Sequence, residues 1–124
     1  MNRLAAIAAG GVLGSLARFG IAEIFGPWDP ASLPTATLLV NVLGALAIGV
    51  IASSERVSAG PDWLRPFLIT GVLGGFTTFS ALALETGLLL DAGRVGVAAG
   101  YVGATMLVGL LAVRVGVLLA GRAR

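Results

Sequence analysis

Gly71-Val72-Leu73-Gly74-Gly75-Phe76-Thr77-Thr78-Phe79-Ser80-Ala81-Leu82 lies inside a long apolar segment, yet it carries three hydroxyl side chains within four residues, flanked by glycines and two phenylalanines. Transmembrane helices rarely read this way. Backbone at membrane depth gives up its helical hydrogen bonds only where it is buried in protein or lines a polar cavity. The stretch therefore predicts a break near the middle of a membrane-spanning element. Such a break frees carbonyl oxygens to hold a cation and aims aromatic edges at a pore.

The surrounding composition supplies the membrane. Of 124 residues, 57% are hydrophobic, 19 are glycine and only 11% are charged, and the mean hydropathy is +1.00. A soluble domain carries about 25% charged residues, so the expected class is an all-α polytopic membrane protein. The sequence pI near 10.5 comes from an excess of only two charges. All eight basic residues are arginines set singly at the ends of apolar segments, which suits interfacial anchors rather than a nucleic-acid surface. With no Cys and no His, thiol chemistry, His-based metal sites and His acid–base catalysis are excluded. Met1-Asn2-Arg3 followed by an apolar run superficially resembles a signal peptide. Three later segments are equally apolar, so a first membrane helix is the expectation.

Four helices are expected at about 3–25, 34–53, 66–90 and 95–120, forming a single domain. In the first, residues 4–17 are uncharged, too few for the roughly 20 residues that cross the hydrocarbon, so Arg18 sits inside or at the far interface. It either snorkels to headgroups or faces a water-filled vestibule. Gly10 and Gly14 form a GxxxG pair that admits a close helix neighbour. Gly26-Pro27-Trp28-Asp29-Pro30 makes a turn with an interfacial tryptophan. In the second helix Asn41 has two readings: glue between helices, or an uncharged donor to an anion. The third, at about 25 residues, is longer than a straight span requires. Glu85 lies six residues beyond Phe79, either near a vestibule or as an ordinary interfacial carboxylate. In the fourth, Gly96 and Gly100 repeat the GxxxG spacing, and Tyr101 and Thr105 share one face. Four spans leave both termini on one side with Arg3, Arg56, Arg65, Arg114, Arg122 and Arg124, against Arg18 and Arg94 on the other. The positive-inside rule makes the termini cytoplasmic.

Gly74-Gly75-Phe76-Thr77-Thr78-Phe79-Ser80 resembles the third-helix signature of the Fluc (CrcB) fluoride channels. The resemblance extends to Pro34 through Gly44 with its VNxxG string, and to Gly14-Ser15-Leu16-Ala17-Arg18. It also fits the length and four-helix layout. It implies an antiparallel, dual-topology dimer in the cell inner membrane, with two narrow pores that export fluoride passively and relieve its toxicity. It further implies a structural sodium ion at the dimer centre, held by backbone carbonyls at the positions of Gly74 and Thr77. Asn41 and Phe79 match the pore asparagine and the first pore phenylalanine; Thr37, Ser80, Tyr101 and Thr105 match pore-lining positions; Arg18 and Glu85 match vestibule positions. One departure stands out: the second pore phenylalanine of the family is Leu82 here. Either each pore has one ring fewer, or the ring comes from a homologous, non-identical partner subunit. The arginine asymmetry also favours one fixed orientation, although a homodimer is the commoner arrangement in the family.

The residue types suit a small, strongly hydrated anion. A dry pore must replace water with several weak contacts, because conduction needs sites that also release the ion. Amide and hydroxyl protons and the positive edges of aromatic rings supply these without a net charge. Two rivals remain. A small proton-coupled multidrug exporter needs an embedded acid in the first helix, where the only acid is Glu23, near its end. A packing subunit without a pore leaves Asn41 and Thr77-Thr78-Phe79-Ser80 unexplained. No nucleophile–base pair is visible, so an enzyme is not expected.

Overall fold

The computed structural model describes residues 2–121. Helix α1 is Arg3–Phe25, α2 is Thr35–Ala52, and a short α3, Glu55–Ser58, lies in the following loop. The third span opens as a π-helix, π1, Pro66–Leu73, continues as one α-turn, α4, Gly74–Phe76, and resumes as α5, Phe79–Asp91. Helix α6 is Val95–Gly121. Among the described residues four stretches are long and apolar enough to cross a membrane: Arg3–Phe25, Thr35–Ala52, Pro66–Asp91 and Val95–Gly121. The chain is an all-α, multi-pass membrane protein. Its helix limits lie within a residue of the sequence expectation, but the wide π-helical turns were not foreseen.

Glycine decides which helices touch. A Cβ at Gly10 would run into the Phe67 carbonyl, and one at Gly14 into the Val72 carbonyl, so α1 lies directly on π1 and α4. On the other side of the bundle, Gly49 of α2 meets the Val113 carbonyl while Gly116 of α6 meets the Leu46 carbonyl. The Gly96–Gly100 pair departs from expectation. Nothing lies within 4 Å of a Cβ built at either, so this second GxxxG packs against no helix of its own chain. The same spacing thus has opposite outcomes because it falls on opposite faces.

Helices α5 and α6 close over a small core of Leu82, Leu89, Ala98 and Tyr101, with Trp28 and Leu38 packed against it. Most other large apolar side chains face outward: Leu107, Leu110 and Leu111 all remain exposed, as expected where lipid is the solvent. At the end opposite the α1–α2 loop, Arg3 pairs with Asp62 at 3.1 Å across an exposed surface. Of the arginines behind the expected orientation, Arg122 and Arg124 lie outside the described residues.

Candidate functional site

Helix geometry stops at two residues. Thr77 has φ −79° and ψ 158°, and Thr78 has φ −150° and ψ 116°, both extended. Extended backbone in a membrane span orphans its donors and acceptors unless something replaces the helical bonds. Asn41, one helix away, does so on both sides of Thr78. Its Oδ1 accepts from the Thr78 N–H at 2.8 Å, and its Nδ2 donates to the Thr78 carbonyl at 3.0 Å. The Thr78 hydroxyl then caps α5 by accepting from the Ala81 N–H at 3.1 Å, and it lies 3.2 Å from the Ser80 hydroxyl. The Thr77 hydroxyl donates back to the Leu73 carbonyl at 2.9 Å. Thr78 is 8% exposed. Asn41 is therefore structural glue for the break, and one of its two amide protons is left for another acceptor.

Arg18 also serves the break. Its Nε donates to the Gly75 carbonyl at 3.1 Å, which brings a guanidinium from α1 to the interrupted span. Among the described residues the Gly74 and Thr77 carbonyls accept no hydrogen bond. Both residues line an open groove of about 290 Å³ together with Asn41, Gly44, Leu73 and Val113. The groove depends on Gly44, where a Cβ would collide with the Thr77 methyl.

A second polar cluster joins α2, α5 and α6. The Thr37 hydroxyl donates to Glu85 Oε1 at 2.8 Å, and the Tyr101 hydroxyl donates to Glu85 Oε2 at 2.6 Å. Tyr101 is completely buried, so its hydroxyl requires such a partner. Three residues assigned separately to pore and vestibule thus form one hydrogen-bonded unit. Thr105 does not join it: its hydroxyl donates to the Tyr101 carbonyl of its own helix at 2.8 Å.

Two cavities link these clusters. A mouth cavity of about 80 Å³ lies under the α1–α2 loop, bounded by Trp28, Ser32, Thr35, Thr37 and Glu85. An inner cavity of about 30 Å³ is bounded by Arg18, Thr37, Val40 and Thr78. Thr37 borders both, and Thr78 carries the line on to Asn41. Polar groups therefore run from the loop to the break within the chain. Phe79 stands apart, 74% exposed on the outside of the chain, whereas Leu82 is only 4% exposed inside the α5–α6 core. Positions 79 and 82, which the resemblance pairs on a pore wall, thus face different surroundings in this chain. The Asn41 clasp bears out the reading of that residue as glue between helices, with Thr78 as the partner the reading did not name, whereas the Glu85 cluster was not foreseen, because it joins residues far apart in sequence.

The family described as CrcB-like protein, Camphor Resistance (CrcB), matches residues 5–117. The chain belongs to this family. It is 45% identical over 108 residues to the fluoride-specific ion channel FluC of Rhodospirillum centenum, covering 86% of each chain. It is 46% identical over 110 residues to the FluC of Paracoccus denitrificans, covering 89% of this chain and 87% of the relative. Against the FluC 2 of Symbiobacterium thermophilum it is 45% identical over 123 residues, 98% of this chain and 99% of the relative.

Proposed function

We propose that this CrcB-family chain is a passive fluoride channel, not an enzyme, that lets fluoride out across the bacterial inner membrane and so relieves its toxicity. The observation that carries this reading is the broken third span: a membrane-embedded stretch of extended backbone held by a neutral amide and surrounded by hydroxyls. The full-length relatives named as fluoride-specific channels support it. Fluoride enters between Thr37 and Glu85, passes the Thr37–Thr78 cavity and reaches Asn41, Phe79 and Ser80. Donors on this route are hydroxyl and amide protons, strong enough to replace water and weak enough to release the ion, with the Arg18 guanidinium bordering the inner cavity as the one charged donor. An inside-negative potential drives an anion outward by roughly 2.3 kcal/mol per 100 mV, so no coupling ion is required. The multidrug-exporter alternative needs an embedded acid; Glu23 is exposed near the end of α1.

The groove with its unpartnered Gly74 and Thr77 carbonyls is the surface on which a second, antiparallel subunit seats. Two carbonyls from each subunit form a neutral oxygen cage that fits a sodium ion, whose fixed charge favours anions nearby. The exposed Phe79 ring then becomes part of a pore wall at the interface. A second reading, a pair of homologous but different subunits, is favoured by Leu82 standing where the resemblance expects a second pore phenylalanine and by the arginine asymmetry.

Purified protein in liposomes, followed with a fluoride electrode, tests the proposal. Fluoride release should require a potassium ionophore to dissipate charge and should be absent from protein-free liposomes. Equal release from both preparations refutes it. Flux that appears only on co-expression of a homologous chain selects the hetero-pair. Elemental analysis after desalting should find half as many sodium ions as chains.

A further inference from the structure

We propose that the loop of residues 26–34 is a lid over the mouth cavity, and that Arg94 is the latch that holds it down. The inference rests on the proposed function only in taking that cavity as the ion's entrance. The loop is stiffened from within. The Trp28 indole donates to the Ser32 carbonyl at 3.1 Å, the Asp29 carboxylate accepts from the Ala31 N–H at 2.6 Å, and the Asp29 carbonyl accepts from the Ser32 N–H at 3.1 Å. Bonds of this local kind make a short segment move as one body. Its two ends differ. Pro34 is fully buried and anchors the start of α2. Gly26, at φ 74° with open space where a Cβ would be, caps α1 through its N–H to the Ala22 and Glu23 carbonyls, so the chain past its Cα is the least packed point about which the loop can turn.

Among the described residues, one hydrogen bond ties this body to a part of the chain beyond its flanking helices: Arg94 Nη1 donates to the Pro30 carbonyl at 2.7 Å. Arg94 starts α6 from the connection after α5, so its backbone is fixed by the Arg94 N–H donating to the Leu89 carbonyl at 2.8 Å. Arg94 forms no ion pair among the described residues. Its guanidinium is spent on a neutral carbonyl of the loop, which is a weaker and more reversible tie than a bidentate ion pair. Directly beneath lie Thr37 and Glu85 on the cavity wall. The remaining hold is apolar: Trp28 packs against the Leu82–Tyr101 core. Lifting the loop about Gly26, with Pro34 staying seated, therefore costs one charge-assisted hydrogen bond and one aromatic contact, and it exposes further to water Thr37 and Glu85, which are half-buried with the loop down. Arg94 is a positioning residue in this scheme.

The chain contains no cysteine, so the latch can be replaced by a reversible covalent one. Pro30→Cys with Arg94→Cys, bridged by a short bis-methanethiosulfonate, should slow fluoride efflux several-fold, and reductant should restore it. In a Trp63→Phe background, Arg94→Met should shift Trp28 emission to the red, increase its quenching by acrylamide and speed efflux. The emission readout needs no flux, so a silent wild type refutes the channel reading while leaving the latch testable. Unchanged efflux on bridging overturns the lid, and unchanged Trp28 emission in Arg94→Met overturns the latch.

Discussion

Asn41 shows how one neutral side chain makes a broken helix affordable in lipid. It satisfies the N–H and the carbonyl of Thr78 together, and a buried polar group left without a partner costs about 1–3 kcal/mol. Asn41→Ala should therefore lower the melting temperature in detergent as well as stop fluoride flux, both measurable on the same preparation. Tyr101→Phe separates packing from chemistry, since the ring stays against its core neighbours while the donor to Glu85 is lost. Fluoride efflux should fall severely, with a thermal shift smaller than that of Asn41→Ala. Leu82→Phe carries an opposite expectation to simple restoration of a missing ring. Leu82 is 4% exposed, and overpacking a tight core costs typically about 1–3 kcal/mol, so the variant should be less stable by thermal melt and no faster.

The helices explain why some of this was legible and some was not. Gly74-Gly75 and the hydroxyl run announced the break because no apolar span uses such residues without need, and the extended residues fall at Thr77 and Thr78 within that run. The spans themselves were legible from length and hydropathy. Contacts between helices were not, since they depend on rotation and register that no local pattern states. Thr37 and Glu85 are 48 residues apart, and Arg94 and Pro30 are 64 apart. Glycine spacing was likewise ambiguous: Gly10 and Gly14 are buried against π1 and α4, whereas Gly96 and Gly100 face open space. Gly14→Val should abolish folded protein on size-exclusion chromatography, because the obstacle is the Val72 and Phe76 backbone. Gly96→Val should leave the single-chain fold intact by circular dichroism.

At the scale of the molecule, the chain presents a groove with bare carbonyls, an exposed phenylalanine, and a polar route that reaches them from the loop side. A partner completes it in the proposed channel. If a single orientation is imposed by the arginines, reporter fusions at both termini should read cytoplasmic, and a homologous partner of opposite bias becomes necessary. Near-equal readings on both sides support the homodimer instead. The most direct measurement is fluoride efflux from liposomes by wild type, Asn41→Asp and Phe79→Ile, with chloride followed in parallel. Wild type should release fluoride and retain chloride, and both variants should be silent while eluting as folded protein. Undiminished fluoride release from either variant would contradict the claim that the broken third helix carries the ion.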